Sequence, residues 1–106
     1  FYGLTLTEGT RQPMWGLLRG EVRMQQRLDG LGPQRWDTPH GELRGHTCHY
    51  SITESPMVPA TQSEPASTYG RSEAVYQEGS VRASYFHAWF ASNAEATAHL
   101  FLPETL

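Results

Sequence analysis

Hydrophobic and polar positions divide the chain into short extended runs separated by turn signals, with one helical stretch near the end. The longest extended run, 42–52, places Leu43, Gly45, Thr47, His49 and Ser51 on one face. Arg44, His46, Cys48, Tyr50 and Ile52 fall on the other, because successive side chains of a strand point to opposite sides of a sheet. A shorter run at 34–38, centred on Trp36, precedes it across Pro39-His40-Gly41, and the two read as a β-hairpin. Upstream, Val22, Met24 and Leu28 within 21–28 fit a strand with one covered face, which the Gly30-Leu31-Gly32-Pro33 cluster ends. The apolar density of Met14-Trp15-Gly16-Leu17-Leu18 predicts a buried edge, and Thr7-Glu8-Gly9-Thr10-Arg11 a polar turn.

Downstream, 53–68 holds three prolines and no long apolar run, and reads as an exposed loop. Residues 72–79 alternate around Ala74 and Tyr76, and a turn at Glu78-Gly79-Ser80 leads into 81–90, the most apolar stretch of the chain. Ser92 or Asn93 is the expected N-cap of a helix over 94–102, on which Ala96, His99 and Leu100 share a face and which Pro103 stops. No internal repeat is present. Several strands, one long loop and one terminal helix make a strand-rich α/β pattern.

Composition narrows the functional classes. With 106 residues, 38% of them hydrophobic, a single small domain has a modest core. All eight basic residues are arginine and the net charge is −3, so there is no clustered positive charge to draw nucleic acid or an anionic membrane. The single cysteine, Cys48, excludes an internal disulfide and a multi-cysteine zinc site, and makes a reducing, cytoplasmic setting the default. No apolar run approaches the roughly 18 residues of a membrane span. A start on Phe1-Tyr2 without an initiator Met reads as part of a longer protein.

Five histidines invite a metal reading through His40, His46 and His49. In a strand, however, His46 and His49 point to opposite faces, and no acidic residue stands at a recognisable ligand spacing, so no metal is expected. A Cys48–His87 thiolate pair is also conceivable, but Cys48 sits mid-strand, where a buried, inert thiol is the simpler expectation. His87 is the stronger candidate. It lies near the end of an apolar strand, and Phe86, Trp89 and Phe90 are placed to desolvate its imidazole and favour the neutral, proton-accepting form. A hydrogen-bonded core histidine is the plain alternative.

Three segments in register resemble one family. Met14-Trp15-Gly16-Leu17-Leu18-Arg19-Gly20, continuing through Met24, Arg27-Leu28 and Leu31-Gly32, looks like the stretch after the nucleophile turn in the C-terminal glutaminase domain of cobyrinic acid a,c-diamide synthases. Arg44-Gly45-His46-Thr47-Cys48-His49-Tyr50-Ser51 is similar to that family's Arg-Gly-His-Glu-Phe-His-Tyr-Ser signature. The segment from Ala83 through Ser84-Tyr85-Phe86-His87-Ala88-Trp89-Phe90 to Asn93 resembles its Ala-Ser-Tyr-Leu-His-Leu-His-Phe-Ala-Ser-Asn run.

The resemblance implies residues 1–106 as the C-terminal part of a triad-type glutamine amidotransferase domain of α/β fold, lacking the nucleophile turn and the ATP-dependent synthetase domain. It implies transfer of glutamine-derived ammonia to the a and c carboxylates of cobyrinate or hydrogenobyrinate in cobalamin biosynthesis, with ATP and magnesium acting in the synthetase domain. His87 matches the family's histidine and is the expected base. His46, His49, Tyr50 and Ser51 match the signature strand, beside the glutamine pocket or the synthetase interface. Thr47-Cys48 replaces Glu-Phe, Trp89 replaces a second histidine, and Cys48 does not occupy the nucleophile's position. Taken alone, the 106 residues are expected to be inactive, and an exposed sheet edge is expected to favour self-association. Two other readings stand beside this one: a non-catalytic glutaminase-like domain that binds a partner or tetrapyrrole, and the histidine metal module.

Overall fold

The computed structural model describes residues 1–6, 9–68 and 70–102. Part of the turn expected at Thr7–Arg11 and the stop at Pro103 lie outside these residues. The described chain forms eleven strands in three sheets and one α-helix, a strand-rich α/β arrangement.

The hairpin expected around Pro39-His40 is the longest element. Strands β4 (Gly30–Thr38) and β5 (Gly41–His49) pair antiparallel from Gly30 opposite His49 to Thr38 opposite Gly41. The Gly30–Pro33 cluster therefore extends a strand instead of ending one. Nine consecutive pairings with β5 outweigh the weak strand preference of its glycines. The predicted face assignment holds along β5: Leu43, Thr47 and His49 are buried, followed by Ser51, whereas Arg44, His46, Cys48 and Tyr50 are exposed. Strand β11 (His87–Trp89) pairs antiparallel with the other edge of β5, and β8 (Glu64–Pro65) with β4.

Gly45 makes the first of these pairings possible. A Cβ at this position would lie 2.1 Å from the His87 carbonyl oxygen and 2.9 Å from the Phe86 ring. Only glycine lets β11 approach this closely.

A second sheet has the order β2–β1–β3–β6, formed by Arg11–Pro13, Gly3–Thr5, Glu21–Arg23 and Ile52–Glu54. Its β1–β3 pair is parallel. The strand expected over 21–28 stops at Arg23, where its pairing with β6 ends. The buried edge expected at Met14–Leu18 is not found: Trp15 is 90% exposed, and of this apolar cluster Leu18 alone is buried. Met14, Trp15 and Leu17 face outward just after the exposed β2. The third sheet is β10–β9–β7, from Val81–Ser84, Ala74–Glu78 and Thr61–Gln62.

The main core forms where these layers meet the helix α1 (Ala94–Leu100). Trp36, Leu43, Val75 and Ala96 are buried together, with Phe86 and Leu100 packed against them. Asn93 caps α1, its Oδ1 accepting from the Ala96 N–H at 3.0 Å, an interaction worth about 1 kcal/mol. The helix ends before the expected residue 102; Phe101 N–H donates instead to the Ala98 carbonyl in a tighter last turn.

The expected loop at 53–68 is only partly a loop. It contains the end of β6 together with β7 and β8, and Ser63 between the last two is fully buried. Its backbone N–H donates to the Glu73 carbonyl at 2.9 Å and its hydroxyl donates to Gln34 Oε1 at 2.8 Å. Paired polar atoms, in place of apolar side chains, anchor this segment.

Candidate functional site

The register of β5 separates the candidate residues into two groups. On the outer face, His46 stands directly opposite His87 on β11, and their rings stack with centroids 5.2 Å apart and planes at 17°. Cross-strand neighbours on one face are close enough for such contact. His87 is exposed, as are Trp89 at 62% and Phe90 at 51%. The expected desolvation of His87 by its aromatic neighbours is thus not found: β11 turns His87 and Trp89 outward together, and Ala88 lies between them. Cys48, expected to be buried, is exposed on the same face of β5 as His46. Tyr50 is 49% exposed, just beyond the end of the strand.

The inner face carries a hydrogen-bonded network. His49 Nδ1–H donates to the Ser51 carbonyl at 2.7 Å, and Nε2 lies 2.5 Å from Glu73 Oε2. A carbonyl can only accept, so the proton on Nδ1 is assigned, and Nε2 is hydrogen-bonded to the carboxylate. The same carboxylate oxygen accepts from the Thr47 hydroxyl. The side chains of His49 and Glu73 are only 8% and 13% exposed.

Tyr85 stacks on the His49 ring at 3.7 Å, and its hydroxyl bonds Ser51 Oγ at 2.7 Å and Thr53 Oγ1 at 3.0 Å. Behind Glu73, the Ser63 hydroxyl accepts from the Glu73 N–H at 3.1 Å, and Gln34 Nε2 donates to the Arg71 carbonyl at 3.0 Å. The network thus fixes the backbone from which Glu73 projects.

His49, Glu73 and Tyr85 also line a cleft of about 450 Å³ together with Arg71 and Asp29. The Arg71 guanidinium pairs with Asp29 Oδ1 at 3.0 Å. His87 belongs to a different depression, beside Trp36, Phe86 and Phe90.

Of the residues singled out from sequence, the structure therefore brings His46 to His87 and His49 to Ser51, and it separates these two pairs onto opposite faces. His40, His46 and His49 do not converge as the metal module required. Sequence reading missed Glu73, Tyr85, Thr47 and Ser63. One signal was available: a histidine on a covered strand face needs a polar partner, and Glu73 lies in the strand-like run at 72–79. Among the described residues no helix is long and apolar enough to cross a membrane.

Comparison with known proteins adds a family. The chain is 48% identical over 97 residues to the cobyrinate a,c-diamide synthase of Herminiimonas arsenicoxydans, covering 92% of this chain and 22% of that protein. It is 46% identical over 101 residues to the hydrogenobyrinate a,c-diamide synthase of Stutzerimonas stutzeri, covering 95% of this chain and 24% of that protein. The corresponding protein of Pseudomonas aeruginosa is 38% identical over 96 residues, 91% of this chain and 22% of its own length. No protein-family profile and no solved structure matches. The chain spans between a fifth and a quarter of the length of these curated relatives. Over nine-tenths of its own length, the chain is a relative of one segment of the cobyrinate and hydrogenobyrinate a,c-diamide synthase family.

Proposed function

We propose that this chain contributes the histidine half of a glutamine-hydrolysing site in an amidoligase. That enzyme amidates the a and c carboxylates of cobyrinate or hydrogenobyrinate with ammonia released from glutamine. The observation that carries this reading is the match to diamide synthases along nearly the whole chain, at up to 48% identity.

On this reading a cysteine thiolate attacks the carboxamide carbon of glutamine, and backbone N–H groups stabilise the resulting oxyanion. Collapse of the tetrahedral intermediate expels ammonia, and water then releases glutamate from the thioester. His87 takes the thiol proton and returns it to the departing nitrogen. Its exposure on an edge strand leaves the ring accessible to a nucleophile and substrate brought from outside these residues. Cys48 is not that nucleophile: it sits mid-strand, two residues from His46, and not on a strained turn. His46, stacked on His87, is proposed to orient its ring.

ATP and magnesium are proposed to act in a synthetase domain, not in this segment. Phosphate-cradling loops combine glycines with a lysine, and this chain contains no lysine. Carboxylate activation is therefore assigned to a synthetase domain outside this segment.

The test compares ammonia sources in a diamide synthase carrying this segment. His87→Ala is expected to abolish amidation driven by glutamine and to spare amidation driven by free ammonium. Equal loss of both would contradict the assignment.

A further inference from the structure

One cluster of ligand-type side chains stands apart from both faces of β5. His40 in the hairpin turn and Glu95 and His99 on α1 bring their ligand atoms within 4.8 Å of one another. We propose that these three side chains bind a divalent transition-metal ion, with zinc as the probe, and so clasp the tip of the β4–β5 hairpin to α1. The site is independent of the glutaminase reading, and it differs from the His40, His46, His49 set considered from sequence.

The donor chemistry suits such an ion. Two imidazoles and one carboxylate form a three-ligand set of the kind that leaves a fourth position to water. Glu95 and His99 are four residues apart on one helix, and therefore on one face.

Backbone geometry brings His40 to that face. The Thr38 hydroxyl donates to the Gly41 carbonyl at 2.7 Å and accepts from the His40 N–H at 3.1 Å, which shapes the turn. Asn93 then ties turn to helix. Its Oδ1 caps Ala96 at 3.0 Å while its Nδ2 donates to the Glu42 carbonyl at 3.2 Å. Gly41, at φ +119°, leaves room for this contact, since a Cβ there would lie 2.5 Å from Asn93 Nδ2. The three ligands are thus placed by supports that remain when any one of them is replaced, which is the preorganisation a binding site requires.

The imidazoles already meet, with ring centroids 3.4 Å apart and planes 5° from parallel. Tetrahedral coordination at 2.0–2.1 Å sets ligand atoms about 3.3 Å apart. From the observed 4.8 Å limit this asks for a contraction of at most about 1.5 Å and a tilt of one ring. His40 and His99 are part-exposed and Glu95 exposed, so side-chain rotation can supply both.

The test titrates metal-free chain with Zn²⁺ against a chromophoric competitor and follows hydrogen exchange of α1. One ion is expected per chain, with slower exchange in α1. His40→Ala and His99→Ala are each expected to weaken binding by at least the roughly 10-fold that losing an outer partner costs, and to remove the protection of α1. Glu95→Gln, an exposed change that leaves the helix intact, is expected to weaken it as well. The double variant His46→Ala/His87→Ala is expected to bind as the parent does. Absence of stoichiometric zinc, binding that survives in His40→Ala and Glu95→Gln, or loss confined to the His46/His87 variant would each overturn the proposal.

Discussion

The inner face of β5 holds Thr47 and His49, with Ser51 just beyond, and the outer face, one residue out of step, holds His46 and Cys48. Both faces carry histidine, yet the two rings live under different rules. On the inner face the polar side chains are paired with one another: Glu73 takes His49 and Thr47, and Tyr85 takes Ser51 and Thr53. Such groups cost free energy when buried unless they are paired, so the network specifies the packing and has little bonding capacity left for a ligand. On the outer face His46 and His87 stack in the open, where water competes for every contact. Strand parity, and not histidine content, decides which ring is built into the packing and which is left open to solvent.

Breaking the inner face is expected to cost the most. Glu73→Ala leaves a buried imidazole and a buried hydroxyl without their acceptor, and the expected loss is about 3–5 kcal/mol in urea unfolding. Gly45→Ala probes the seam between the two faces. A Cβ 2.1 Å from the His87 carbonyl must push β11 away, at a cost of about 1–3 kcal/mol, with NMR shifts concentrated in residues 86–90. Tyr85→Phe keeps the stacked ring and removes the hydroxyl shared by Ser51 and Thr53, for a loss of about 1–2 kcal/mol. His46→Ala, at an exposed position on the outer face, is expected to change stability by no more than about 0.5 kcal/mol.

What could be read from the sequence was local. Parity along β5, the hairpin at Pro39-His40 and the Asn93 cap all depend on residues within a few positions of one another. The partnership of His49 with Glu73 spans 24 positions and depends on how two sheets meet, which periodicity does not encode. For the same reason the segment at 53–68 looked like a loop. Its anchor is one small serine buried against Gln34 and Glu73, not a run of apolar residues. The exposure of His87, Cys48 and Trp15 was also hidden, because apolar neighbours in sequence are covered only if another layer reaches them. The identity of the family, by contrast, was legible from three short segments in register.

The inner histidine is part of the packing, whereas the outer one stands exposed on an edge strand. The most direct measurement makes the same substitution on each face, His49→Ala and His87→Ala, and compares their unfolding free energies in urea. The expected loss is about 3 kcal/mol or more for His49→Ala, which leaves Glu73 without its partner, and the expected change for His87→Ala is within about 0.5 kcal/mol. Comparable losses at the two positions, or a larger loss at His87, would contradict this difference between the two rings.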